Sequence, residues 1–63
     1  MESERMHNKR EVLERTGLSD ATLRREEAGG RFPRRRMLSR GRCAWVASEI
    51  VEWMRSRPAG ALA

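Results

Sequence analysis

Six arginines fall within the twelve residues Arg31-Phe32-Pro33-Arg34-Arg35-Arg36-Met37-Leu38-Ser39-Arg40-Gly41-Arg42, and no acid stands among them. Like charges at that density, with Pro33 removing a backbone donor, exclude a helix interior and favour an extended, solvent-facing ribbon. The chemistry such a ribbon offers is grip on a polyanion. A guanidinium bonds phosphates in pairs and gives up its hydration more readily than an ammonium. The chain carries thirteen arginines against one lysine, Lys9, a bias that a GC-rich genome would also produce.

A second stretch offers recognition rather than grip. Ser19-Asp20-Ala21-Thr22-Leu23-Arg24-Arg25 begins with short side chains and brings two arginines in one turn later. Ser19, Ala21 and Thr22 are small enough to let a backbone approach a groove floor, and Arg24 and Arg25 are long enough to reach a guanine edge or a phosphate. The bland reading makes these arginines partners of Glu27 or Glu14 and the ribbon a solvated loop. Trp45 and Trp53 have the chemistry to stack bases as single-strand binders do. Their apolar positions assign them to the core instead.

Catalytic constellations are not there to be built. His7 is the only histidine and Cys43 the only cysteine, so neither a nucleophile–base pair nor a Cys/His zinc cluster nor an intramolecular disulfide can be assembled. His7 reads as a surface residue. Gly29-Gly30 lacks the Lys-Ser/Thr that would complete a phosphate loop. The expectation is a non-enzyme with no catalytic residue, no metal, no cofactor and no small-molecule ligand. No apolar run is long enough to span a bilayer, and the lone thiol suits a reducing cytoplasmic compartment.

The net charge is +5 and the isoelectric point about 11.3, but the distribution says more. Residues 1–30 hold six basic and seven acidic side chains, whereas residues 31–63 hold eight and two. The basic excess lies at and after the ribbon, as a directed electrostatic surface requires.

Sixty-three residues make one small domain, whose core must be economical. Residues 1–7 are polar and aperiodic and read as a flexible N-terminal arm. The folded domain is expected over 8–57 and a disordered tail over 58–63. Asn8 with Glu11 forms a capping box for a helix over about 8–16 that Gly17 stops. Ser19 caps a second helix over about 19–29, ended by Gly29-Gly30. Val46, Ile50, Trp53 and Met54 recur at helical spacing and place a third helix over about 47–57. A hairpin over about 35–46 pairs residues 36–38 with 43–45 across Ser39-Arg40-Gly41-Arg42, Gly41 supplying a positive φ. Strand alternation then points Leu38, Cys43 and Trp45 inward and Met37 and Ala44 outward. The expected core is Val12, Leu13, Leu18, Leu23, Phe32, Leu38, Trp45, Ile50, Trp53 and Met54.

These parts stand in a recognisable order. The string Glu11-Val12-Leu13-x-x-Thr16-Gly17-Leu18-Ser19-x-x-Thr22-Leu23-x-Arg25, then Gly30-Arg31-Phe32-Pro33-Arg34, then Trp45-x-x-Ser48-Glu49-Ile50-x-x-Trp53, resembles the AlpA-type phage regulators. Those group with excisionase-like and MerR-like winged helix-turn-helix proteins. The resemblance covers residues 8–57 and implies a mainly α domain with a small β-hairpin wing. It also implies sequence-specific binding to double-stranded DNA in the control of prophage or mobile-element genes. The implied major-groove residues are Ser19, Asp20, Thr22, Arg24 and Arg25; the implied wing contacts are Arg31, Arg34, Arg35, Arg40 and Arg42. Three positions depart from the pattern. Arg24 stands where relatives often carry an aromatic, Glu26 where they carry an apolar residue, and Arg36 where a strand Val or Ile is usual.

Two other uses stay open. The domain suits an excisionase-like architectural factor that bends DNA, with self-association on DNA. Alternatively it is a protein-interaction module such as an antirepressor, for which an exposed Met37 and Val51 would supply an apolar patch.

Overall fold

The computed structural model describes residues 5–58. Its elements run β1 (Met6–His7), α1 (Lys9–Thr16), α2 (Asp20–Ala28), β2 (Arg36–Ser39), β3 (Arg42–Val46) and α3 (Ala47–Arg55). Three helices with a small antiparallel sheet give the mainly α, winged helix-turn-helix class read from the sequence.

Local chemistry sets the first two helices. Asn8 Oδ1 accepts the Glu11 N–H at 2.8 Å while Glu11 Oε1 accepts the Asn8 N–H at 2.8 Å, a reciprocal box that satisfies two free donors. That hydrogen bond from the Asn8 backbone also holds the Glu11 carboxyl below its ordinary range. Gly17, at φ 76°, ends α1 in the left-handed region, its N–H donating to the Leu13 carbonyl at 2.8 Å. Ser19 Oγ then accepts the Thr22 N–H at 3.1 Å and starts α2. A Lys9–Asp20 ion pair at 2.9 Å ties the two helix starts together. We expect Asn8→Ala to lower unfolding stability by about 1 kcal/mol, as loss of an N-cap does, a shift that urea denaturation will resolve.

The sheet order is β1-β3-β2, with β3 in the centre. Met6 pairs with Val46 and His7 with Trp45, and the Ala47 N–H donates to the Arg5 carbonyl at 2.8 Å. The expectation of a flexible arm over 1–7 therefore fails for its last residues. Two residues are too few to show a period, and backbone pairing needs none. His7 is buried rather than on the surface. Its Nδ1 lies 3.6 Å from Glu11 Oε1 and its Nε2 accepts from Arg15 Nη1 at 3.3 Å. Residues 1–4 of the arm, and all but Pro58 of the expected tail, lie outside the described residues.

The hairpin corrects three further expectations. Its turn is the pair Arg40-Gly41, with Gly41 at φ 77°, and strand pairing resumes at Arg42 rather than Cys43. Arg36 faces Ala44 and Met37 faces Cys43, but Ser39 faces Arg42, so Leu38 is the extra residue of a β-bulge. Leu38 is consequently not core; it is 52% exposed. Ala44, expected outward, is buried. The residue opposite it, Arg36, shares its face and reaches across to Glu49 of α3 at 2.6 Å.

The core comprises Val12, Leu23, Phe32, Trp45 and Ile50, with Leu13, Leu18, Trp53 and Met54 packed against it. α3 closes the domain but ends at Arg55, short of the expected Arg57. Ser56 caps it, Oγ donating to the Trp53 carbonyl at 2.7 Å, and the following Pro58 disfavours a helical Arg57. Trp53 anchors the start of the ribbon. Its Nε1–H donates to the Arg31 carbonyl at 2.8 Å, and its ring meets Phe32 edge-on at 4.8 Å.

Candidate nucleic-acid interface

With Leu23 turned into the core, the 3.6-residue period of α2 leaves Ala21, Arg24, Arg25 and Ala28 on the outward face, all exposed, and Asp20 is exposed at the helix start. Two small residues beside two arginines make a surface that admits close approach and then reaches further. Ser19 is exposed and Thr22 half-buried, and their hydroxyls are already engaged. Ser19 Oγ caps the helix and donates to Thr22 Oγ1 at 3.0 Å. The Asp20 carboxylate sits 2.9 Å from Lys9 Nζ, and that hydrogen bond holds it below its ordinary range. The Arg24 side chain makes no hydrogen bond or ion pair among the described residues, and that of Arg25 only a long contact from Nη2 to Thr22 Oγ1 at 3.5 Å.

The ribbon arginines divide sharply. Arg35 folds back onto α2, its Nε and Nη2 donating to the Glu27 carboxylate at 2.7–3.1 Å, while its backbone N–H donates to Glu27 Oε2 at 2.8 Å. The same guanidinium lies 4.8 Å from the Trp45 ring centroid, a cation–π contact, and 3.9 Å from Cys43 Sγ. Sequence reasoning placed Arg35 among the wing's DNA contacts; its fork is spent inside the protein, joining α2 to the wing. Arg31 pairs with Glu26 at 2.8 Å on an exposed edge, which accommodates the charge at position 26 without burying it in the core. Arg36 is likewise satisfied by Glu49. Arg34, Arg40 and Arg42 are exposed, and their side chains have no hydrogen bond or ion pair among the described residues.

Arg24 and Arg34 line one shallow cleft between α2 and the base of the wing, together with Glu27, Ala28 and Arg35. Glu27 is already neutralised by Arg35, so the cleft keeps the charge of two guanidiniums. That is a seat for an anion. Sequence reasoning missed Glu27, Lys9 and Glu49 as the residues that hold these arginines or Asp20. Their partners are eight, eleven and thirteen residues away, beyond any helical or strand period.

Among the described residues no group of three or more His, Cys, Asp or Glu side chains could hold a metal ion, and no helix is long and apolar enough to cross a membrane.

The family model described as prophage CP4-57 regulatory protein (AlpA) matches residues 5–58, the same span that the structure describes. No curated protein and no solved structure matches the chain. A match over that much of the sequence, carried by a helix-turn-helix and a basic wing, decides the assignment: the chain belongs to the AlpA family of prophage regulatory proteins.

Proposed function

We propose that this chain is a sequence-specific regulator that binds double-stranded DNA, reading the major groove with α2 and gripping the backbone with the wing. The observation that carries the reading is the shared cleft of Arg24 and Arg34, which sets the outward face of α2 beside the base of an arginine wing. Free guanidiniums on both elements then address one duplex. Arg25, flanked on the outer face by Ala21 and Ala28, is the base reader. Arg24 and Arg34 straddle a phosphate between helix and wing, and Arg40 and Arg42 hold the backbone further out. Asp20, clipped by Lys9, sets the approach of the helix start rather than a base pair. Ser19 and Thr22 keep that start rigid. The exposed Arg31–Glu26 pair is worth little and can yield its guanidinium to a phosphate. Arg35 supports the wing from within.

Selection of preferred duplexes from a random pool tests this. The parent chain should enrich a defined motif. Arg25→Ala should relax the choice at one base pair by about 1–3 kcal/mol while leaving the others. A uniform loss across all sequences would make Arg25 a phosphate contact and remove α2 as the reader.

A further inference from the structure

We propose that Met37 and Leu38 form an apolar wedge that enters the minor groove and unstacks a base step, so that the wing kinks the DNA it grips. The proposal rests on the DNA-binding reading above and deepens it. Met37 is 70% exposed and Leu38 52%, the exposed large apolar residues among those described. A chain this small has little apolar surface to spare, yet these two side chains leave half or more of theirs outside the fold. The backbone actively presents one of them. Leu38 is the unpaired residue of the bulge between Met37 and Ser39, the device by which a strand re-aims a side chain.

The surroundings select the occupant. Arg36, Arg40 and Arg42 flank the pair on the hairpin, and no acid occurs from residue 31 to 42. The nearest carboxylate partner on α3, Glu49, is bound by Arg36 at 2.6 Å. A second copy would bring the same positive charge to this knob, whereas a polyanion is drawn to it. Met37 also stands on the proper side of the hairpin. It lies opposite Cys43, whose Sγ touches the Arg35 guanidinium bound to Glu27 of α2, so it shares the side that faces the helix. Flexible hydrocarbon arms between cationic neighbours fit the minor-groove wedge. The arginines neutralise the phosphates on either side while the apolar atoms replace stacking, most cheaply at a TA or CA step.

The test uses the full chain and duplexes with 2-aminopurine at successive positions: the duplex recovered by selection, and a mixed-sequence duplex containing TA and CA steps. The parent should raise the emission several-fold at one step and bend the duplex in a gel-phasing assay. The double variant Met37→Ser/Leu38→Ser should keep the parent's melting temperature, abolish the emission rise and the bend, and bind about tenfold more weakly. Binding with every step stacked overturns the wedge, as does a double variant that bends DNA like the parent. A double variant that loses only self-association in sedimentation assigns the patch to a protein contact and overturns it too. Failure of the parent to bind any duplex overturns the DNA-binding reading itself, and the wedge with it.

Discussion

Arg35→Ala is expected to lower the stability of the domain by about 2–3 kcal/mol, because it removes a forked ion pair and a cation–π contact and leaves the largely covered Glu27 carboxylate without its partner. For a chain of this length, total stability is of the order of 3–9 kcal/mol, so the variant gives up a large share. Surface ion pairs do not behave this way; this one does because the Glu27 side chain is only 12% exposed and is bonded by both the side chain and the backbone of Arg35. Arg35→Lys, which keeps charge but not the fork, should fall between. Acid supplies an independent check. The Arg35 hydrogen bond holds the Glu27 carboxyl below its ordinary value of 4.5. Its stabilisation is therefore complete above about pH 4.5 and is lost as the pH falls through the lower folded-state value. Urea midpoints taken across that acid range should drop for the parent and change less for Arg35→Ala. Equal pH profiles would show that the pair does not hold wing to helix.

Removing the wing's grip should produce the larger functional effect. The triple variant Arg34→Ala/Arg40→Ala/Arg42→Ala should weaken duplex binding by about a hundredfold or more at low salt, three charge-assisted contacts being lost together. The logarithmic dependence of affinity on salt should flatten by about 2–3, close to one per phosphate released. Because these three side chains make no hydrogen bond or ion pair among the described residues, the melting temperature should stay near the parent's. The loss should also be uniform. Backbone contacts carry no base information, so preferred and scrambled duplexes weaken alike.

How much of this was legible in the sequence depended on the range of each interaction. Asn8 with Glu11, Gly17, and Ser19 with Thr22 act within four residues, and both helix starts were readable from them. The stripe Val46, Ile50, Trp53, Met54 showed α3 for the same reason. The hairpin was half legible. Gly41 marked the turn, but the bulge puts one extra residue, Leu38, into β2, so simple alternation breaks there and hides that Leu38 points outward. β1 was invisible, since Met6 and His7 are held by the backbone of Val46 and Trp45. The division among the arginines was invisible as well. Nothing local distinguishes Arg34 from Arg35; only the fold brings Glu27 under one of them and leaves the other free.

The account stands on a division of labour between a reading helix and a gripping wing, and one measurement bears on it most directly. Salt titrations of the parent, Arg25→Ala and the wing triple variant should be run on the selected duplex and on a scrambled one. Arg25→Ala should keep the parent's salt slope and narrow its preference between duplexes by about 1–3 kcal/mol. The triple variant should keep the preference and flatten the slope by about 2–3. If the two effects are exchanged, or if the parent binds both duplexes equally, α2 does not read and the wing does not merely grip.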